Sequence, residues 1–191
     1  MTDDVRVPRL LRPVILIGMP GAGKSTLGHS LAARLNVPFY DLDTAIETEL
    51  NMSVSECFAA RGEEGFRAAE SRTLARLLDG TPLVLASGGG TPLREENRKR
   101  MRAGGYVIYL QASLRQLTDR LQGDTQRPLL RGGDLKTRLR TLFEAREEAY
   151  RRTAHETVDL RRYRGGALLK YILQRLRNTD NLMTGDHADD E

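Results

Sequence analysis

One cysteine, Cys57, stands in 191 residues, so no intrachain disulfide can form and an oxidising compartment is not expected. It sits in SECFAA, a helix-like stretch where it reads as a packed small hydrophobe rather than a nucleophile. Tryptophan is absent and aromatics make up 5% of the chain, which leaves few rings for stacking on nucleic-acid bases. No apolar run approaches the roughly 20 residues of a membrane-spanning helix. The first residues, MTDDVRVPRLLRP, lack the apolar stretch of a secretion signal, so the expected compartment is the cytoplasm. His29, His155 and His187 form no spaced group, which argues against a metal cage and against histidine catalysis. No NKxD string is present, which weakens a guanine-reading switch.

Against these absences stands one strong local signal. Residues Gly18 to Thr26 read GMPGAGKST, after the apolar run Val14 to Ile17 and before a helix-like stretch from Leu27 to Leu35. This is the phosphate-loop pattern GxxxxGK[ST] in its strand–turn–helix context. Glycines let backbone N–H groups wrap a phosphate, and the helix N-terminus adds partial positive charge. Lys24 can reach the β- and γ-phosphates, and the Ser25 hydroxyl suits Mg²⁺. The chain is expected to bind a nucleoside triphosphate, which leaves the destination of the γ-phosphate as the open question.

Net charge is +4, unevenly spread. Residues 180–191 carry five acids and no Lys or Arg, so the rest of the chain stands at +9. Those terminal residues read as a disordered acidic tail. A basic body suits either nucleic acid or small anions. Its basic residues are scattered among acids, which favours nucleotides and carboxylates as partners, with no nucleic acid and no membrane.

Short apolar runs at 14–17, 38–42, 83–86, 106–110 and 157–160 alternate with helix-period segments at 24–35, 44–50, from Ser53, 63–78, 94–103, 114–121, 135–152 and 167–176. The pattern predicts one α/β domain, a five-stranded parallel sheet covered by helices on both faces, with a monomer as the expected state. Ser53-Val54-Ser55-Glu56 has capping-box spacing, and Ser113 is a plausible N-cap. Residues 123–133, polar and rich in glycine and arginine, read as a mobile lid embedded in the fold.

In such a sheet, ligands sit beyond the carboxyl ends of the strands. Asp41 and Asp43 follow the second strand there. One carboxylate can hold a water on Mg²⁺ and the other can orient or deprotonate a hydroxyl. The competing reading makes them a helix cap and a surface acid, with Asp43 well placed as the cap. Gly88-Gly89-Gly90 after a buried strand suggests backbone close to a ligand, or simply a flexible turn. Arg67 and Glu70, three apart, form either an idle surface ion pair or an arginine fork held for a carboxylate. Arg127 opens RPLL in the lid segment, either a solvated charge or a closing cation. Arg146 on the following helix reads by pattern alone as a solvated charge.

The ordered set GMPGAGKST, FYDLDTAIE, SVSECFAARGEEGFRAAE, SGGGTP, DTQRPLL and AREEAYRR resembles the shikimate kinases over about residues 13–178. The resemblance implies a three-layer α/β/α P-loop kinase fold with a mobile lid, preceded by an extension (1–12) and followed by the acidic tail (179–191). It implies transfer of the ATP γ-phosphate to the 3-hydroxyl of shikimate, with Mg²⁺. By the same resemblance Gly21, Ala22, Gly23, Lys24, Ser25 and Thr26 hold the phosphates, Ser25 and Asp41 serve Mg²⁺, and Asp43 meets the substrate hydroxyls. Arg67 and Arg146 would grip the carboxylate near Gly88, Gly89 and Gly90, and Phe58 and Phe66 would line the pocket. Lys24, Asp43 and Arg127 would be catalytic, with Arg127 closing over the phosphates and Arg120 near adenine. The stretch Leu160 to Arg164 lacks the proline expected beside the base. Because phosphoryl transfer passes through a loose transition state, no raised pKa is required of Asp43. A gluconate-type kinase and a nucleotide-dependent switch or nucleic-acid module are the rival readings.

Overall fold

The computed structural model describes residues 9–122 and 134–183. The candidate lid at 123–133 with its Arg127, the first eight residues and the last eight lie outside them. The sheet grows from β2 (Val14–Ile17), whose four residues are all buried. A strand buried on both faces needs an unbroken apolar run rather than alternation, which is what Val-Ile-Leu-Ile supplies. Its partners are β3 (Phe39–Asp41), β4 (Val84–Ala86), β5 (Tyr106–Gln111) and β6 (Glu156–Asp159). They pair in parallel in the order β3-β4-β2-β5-β6, with Val14 opposite Val84 on one side and Tyr106 on the other. The chain winds outward from β2 in both directions, so the crevice of the fold opens at the carboxyl end of β2.

Around the sheet lie α1 (Lys24–Leu35), α2 (Leu42–Leu50), α3 (Val54–Leu77), α4 (Glu95–Gly104), α5 (Leu114–Leu121), α6 (Leu135–Thr153) and α7 (Gly165–Asn178). The capping box expected at Ser53 forms with Glu56, and Ser113, expected only as an N-cap, forms a full capping box with Gln116. The two helices expected from Ser53 and from Glu63 run together as α3, broken at Gly62 with φ 68 and ψ −179. Among the described residues no helix is long and apolar enough to cross a membrane.

Two features depart from the expected boundaries. First, Asp41, not Asp43, caps α2: its Oδ1 accepts the Asp43 N–H at 3.1 Å, and Asp43 is already inside the first turn. The helix starts immediately after β3, so the aspartate at the strand end takes the cap. Second, the folded body reaches past residues 13–178. Residues Arg9–Leu10 (β1) and Leu182–Met183 (β7) form a two-stranded antiparallel sheet. Asn181, fully buried, donates its backbone N–H to Leu176 O, accepts the Leu11 N–H, and takes the Arg12 guanidinium on its side chain. Leu10 and Leu182 join the hydrophobic core. Burial of those two leucines outweighs the local polarity from which a tail beginning at 179 was read; residues 184–191 lie outside the described chain.

Candidate active site

The phosphate loop leaves β2 and enters α1 through Gly23, which is the N-cap with φ 87, a left-handed backbone that side chains rarely adopt. Lys24 Nζ arches back over the loop and donates to Gly18 O at 3.0 Å and Met19 O at 3.1 Å. Ser25 Oγ donates to Asp41 Oδ2 at 2.9 Å. Asp41 thus joins α1 to the start of α2, with one oxygen on each. A cleft of about 930 Å³ opens beside the loop. Gly21 to Thr26 form one wall, Gln116 and Arg120 of α5 a second, and Leu160, Tyr163, Arg164 and Gly165 a third. Arg120 Nη1 donates to Gly21 O at 3.1 Å, which seats its guanidinium on the loop. Tyr163 stacks on Tyr171 with ring centroids 4.2 Å apart, and so presents a fixed aromatic group in the stretch where no proline occurs.

Next to this cleft the Gly88–Gly90 turn brings the polar side chains together. A Cβ on Gly88 would lie 2.9 Å from Asp43 Oδ1 and 3.2 Å from Glu70 Oε1. One on Gly89 would lie 2.9 Å from Arg146 Nη1, and one on Gly90 2.7 Å from Arg67 Nη2. Any side chain on the turn would occupy the place of these groups, so the triplet is a close-approach surface and not merely a flexible turn.

Arg67 and Glu70 are likewise more than a surface pair. Glu70 is 1% exposed; its Oε2 accepts from Arg67 Nη1 at 3.1 Å and its Oε1 from the Thr91 hydroxyl at 2.7 Å. The pair holds Nη1, while Nη2, which also donates to the exposed Glu63 at 3.5 Å, faces the turn. Phe66 supports Arg67, whose guanidinium carbon lies 5.4 Å from the ring centre, and Phe58 stacks on Phe66 at 4.5 Å. Arg146, expected on a solvated helix face, is 5% exposed, because that face of α6 packs against the Gly88–Leu93 segment. Among the described residues it forms no ion pair; its guanidinium lies over Gly89, on the side where the Tyr150 hydroxyl stands. A buried cation without an anion is costly unless a ligand supplies one.

Asp43 is pushed up to about 6. Burial is the largest cause; the negative charges of Asp41, Glu70 and Glu47 add to it, and Lys24 opposes them. The raised value contrasts with the modest one that a loose transition state would tolerate, and it puts the carboxylate near neutrality, where a proton acceptor works best. The structure therefore gathers Asp43, Arg67, Arg146, Phe66 and the glycine triplet at one site, and Lys24, Ser25, Asp41 and Arg120 at its neighbour. Arg127 lies outside the described residues. Thr91 and Tyr150 were not among the expected site residues. Tyr150 carried a usable signal, since it follows Arg146 by four positions on the same helix face.

A glycine-rich phosphate loop at the switch point of a parallel sheet, facing an acid, a buried arginine and a half-buried one, defines a P-loop kinase of a small anionic alcohol. A family model described as shikimate kinase matches residues 20–177. The shikimate kinase of Ruegeria pomeroyi is 46% identical over 149 residues, covering 78% of this chain and 76% of that protein. The shikimate kinase of Burkholderia thailandensis is 40% identical over 163 residues, covering 85% and 89%. A solved structure of the shikimate kinase from Acinetobacter baumannii in complex with shikimate superposes with a TM-score of 0.81 at 36% identity, covering 88% of this chain and 95% of that one. The chain belongs to the shikimate kinase family, and its activity is the ATP-dependent phosphorylation of shikimate in the shikimate pathway.

Proposed function

We propose that the chain holds shikimate along the Gly88–Gly90 turn and transfers the ATP γ-phosphoryl group to its 3-hydroxyl. The observation that carries this reading is the order of groups along the turn: Asp43 at Gly88, Arg146 at Gly89, Arg67 at Gly90. Two residues of backbone span at most about 7 Å, comparable to a six-membered ring acid with its hydroxyl at one end and its carboxylate at the other. Asp43 accepts the hydroxyl hydrogen bond and takes the proton as the oxygen bonds to phosphorus. Arg67 and Arg146 meet the carboxylate, and their forks fix the ring so that the hydroxyl stands in line with the γ-phosphate. Lys24 and the loop N–H groups from Gly21 to Thr26 carry the charge of the β- and γ-phosphates, and Arg120 seats the base side of the nucleotide.

Mg²⁺ fits the residues present. Ser25 Oγ and Asp41 Oδ2 are hard oxygen donors 2.9 Å apart. Among the described residues no group of three or more His, Cys, Asp or Glu could hold an ion alone. That donor set suits an ion ligated mainly by phosphates and water, with Ser25 as direct ligand and Asp41 acting through water. When bound, Mg²⁺ neutralises phosphate charge. In this reading the enzyme is a cytoplasmic monomer.

The test is ADP release from Mg·ATP by the purified protein with shikimate, quinate, gluconate or no acceptor. Rapid release with shikimate alone is expected. Release with gluconate alone would overturn the acceptor assignment, and slow acceptor-independent hydrolysis would overturn the kinase reading.

A further inference from the structure

We infer that Tyr150 is a positioning residue for acceptor binding: its hydroxyl aims both the Arg146 guanidinium and the Gly89–Gly90 peptide at the substrate. The inference rests on the reading that Arg146 meets the acceptor carboxylate. Tyr150 is fully buried on the face of α6 that carries Arg146, with its ring tilted against Tyr109 at 5.1 Å. Its hydroxyl donates to Gly89 O at 2.6 Å and touches Met19 Sδ, at the entrance to the phosphate loop, at 3.9 Å. The Arg146 guanidinium faces the same spot over Gly89: a Cβ there would lie 2.9 Å from Arg146 Nη1 and 3.5 Å from the Tyr150 oxygen, and its charge pulls on the phenol.

The directions of these bonds are forced by chemistry. A carbonyl only accepts, so the single hydroxyl proton goes to Gly89. A guanidinium only donates, so what the hydroxyl can offer Arg146 is its lone pairs. Burial pushes the phenol up to about 12, against the pull of Arg146, so it remains a proton donor throughout the neutral range. Two consequences follow. The peptide between Gly89 and Gly90 is planar and trans, so pinning the Gly89 carbonyl turns the Gly90 N–H the opposite way, away from Tyr150. And Arg146, without a described carboxylate partner, is held in one orientation before substrate arrives, which lowers the ordering cost of binding. Arg67 has Glu70 for this purpose; Arg146 has Tyr150.

Tyr150→Phe keeps the ring and removes only the hydroxyl. It leaves the buried Gly89 carbonyl without its donor and Arg146 without the hydroxyl beside it. The expected result is a rise of about tenfold in the KM for shikimate, with the KM for ATP within about twofold of wild type. The rise should shrink when the acceptor is shikimate methyl ester, which lacks the charge that Arg146 meets. Adding Tyr150→Phe to Arg146→Lys should raise the shikimate KM little beyond Arg146→Lys alone, because both act on the same contact. Equal rises for both substrates, an undiminished rise on the ester, or full additivity in the double variant would each show a merely structural role and overturn the inference. If Arg146→Lys itself leaves the shikimate KM unchanged, the carboxylate reading fails. If Arg146→Lys raises it and Tyr150→Phe does not, that reading stands and the positioning role falls.

Discussion

The two halves of the active site are built by opposite means. On the nucleotide side, local backbone does most of the work: a left-handed Gly23 at the helix N-terminus and a lysine that folds back onto its own loop. The wall opposite is an open cleft with an exposed Arg120. On the acceptor side the work falls to buried and half-buried side chains from four separate parts of the chain, with Glu70 1% and Arg146 5% exposed. A phosphate chain looks the same in every nucleotide and can be met by a short, local, reusable turn. One particular acid alcohol must be met by groups fixed relative to one another, which requires burial and interlocking partners.

If that division holds, substitutions on each side should separate cleanly. Lys24→Ala should cause the largest loss, about a thousandfold in kcat, because it removes the cation nearest the developing phosphate charge; steady-state turnover checks it. Asp43→Asn should lower kcat about a hundredfold, the range for loss of a positioned proton acceptor. The same change should stabilise the substrate-free protein. The native Asp43 value of about 6 lies above the 3.8 of the unfolded chain. Between those values the native state binds more protons, so stability falls as pH rises from 4 to 6 and stays lower above it. Replacing the carboxylate should therefore recover up to about 3 kcal/mol at pH 7.5 and nothing near pH 4, read from denaturant unfolding at both pH values.

Arg67→Ala should raise the shikimate KM by roughly a hundredfold, on the order of 3 kcal/mol for breaking a desolvated charge pair, and leave the ATP KM near wild type. Arg120→Ala should have the smallest effect, about threefold on the ATP KM with shikimate unaffected, because its guanidinium is exposed and well screened. Initial-rate kinetics with each substrate varied in turn distinguish the last two.

The same contrast explains how much could be read from the residues in order. The phosphate loop is nine consecutive residues with a fixed backbone requirement, and the string alone places Lys24 and Ser25. The capping boxes at Ser53 and Ser113 are equally local. The parallel sheet follows from apolar runs spaced by helices, and its boundaries shift by only a residue or two. Arg146 is different: its helix is amphipathic, and nothing within α6 says that this face packs on the Gly88–Leu93 segment more than fifty positions earlier. The raised Asp43 value comes mainly from burial, which only the assembled fold creates, with Asp41 and then Glu70, reaching it from α3, adding to it. The Asp41 cap was missed because two aspartates bracket the helix start, and only the backbone geometry decides between them. The β1–β7 pair is beyond local reading, being two residues on each side joined across almost the whole chain.

The most direct test of separable half-sites is shikimate binding, measured by titration calorimetry without nucleotide, in Lys24→Ala and Arg67→Ala side by side. The account predicts that Lys24→Ala, although nearly inactive, binds shikimate within about twofold of wild type, whereas Arg67→Ala loses roughly a hundredfold. Comparable losses in both variants, or undiminished binding by Arg67→Ala, would contradict it.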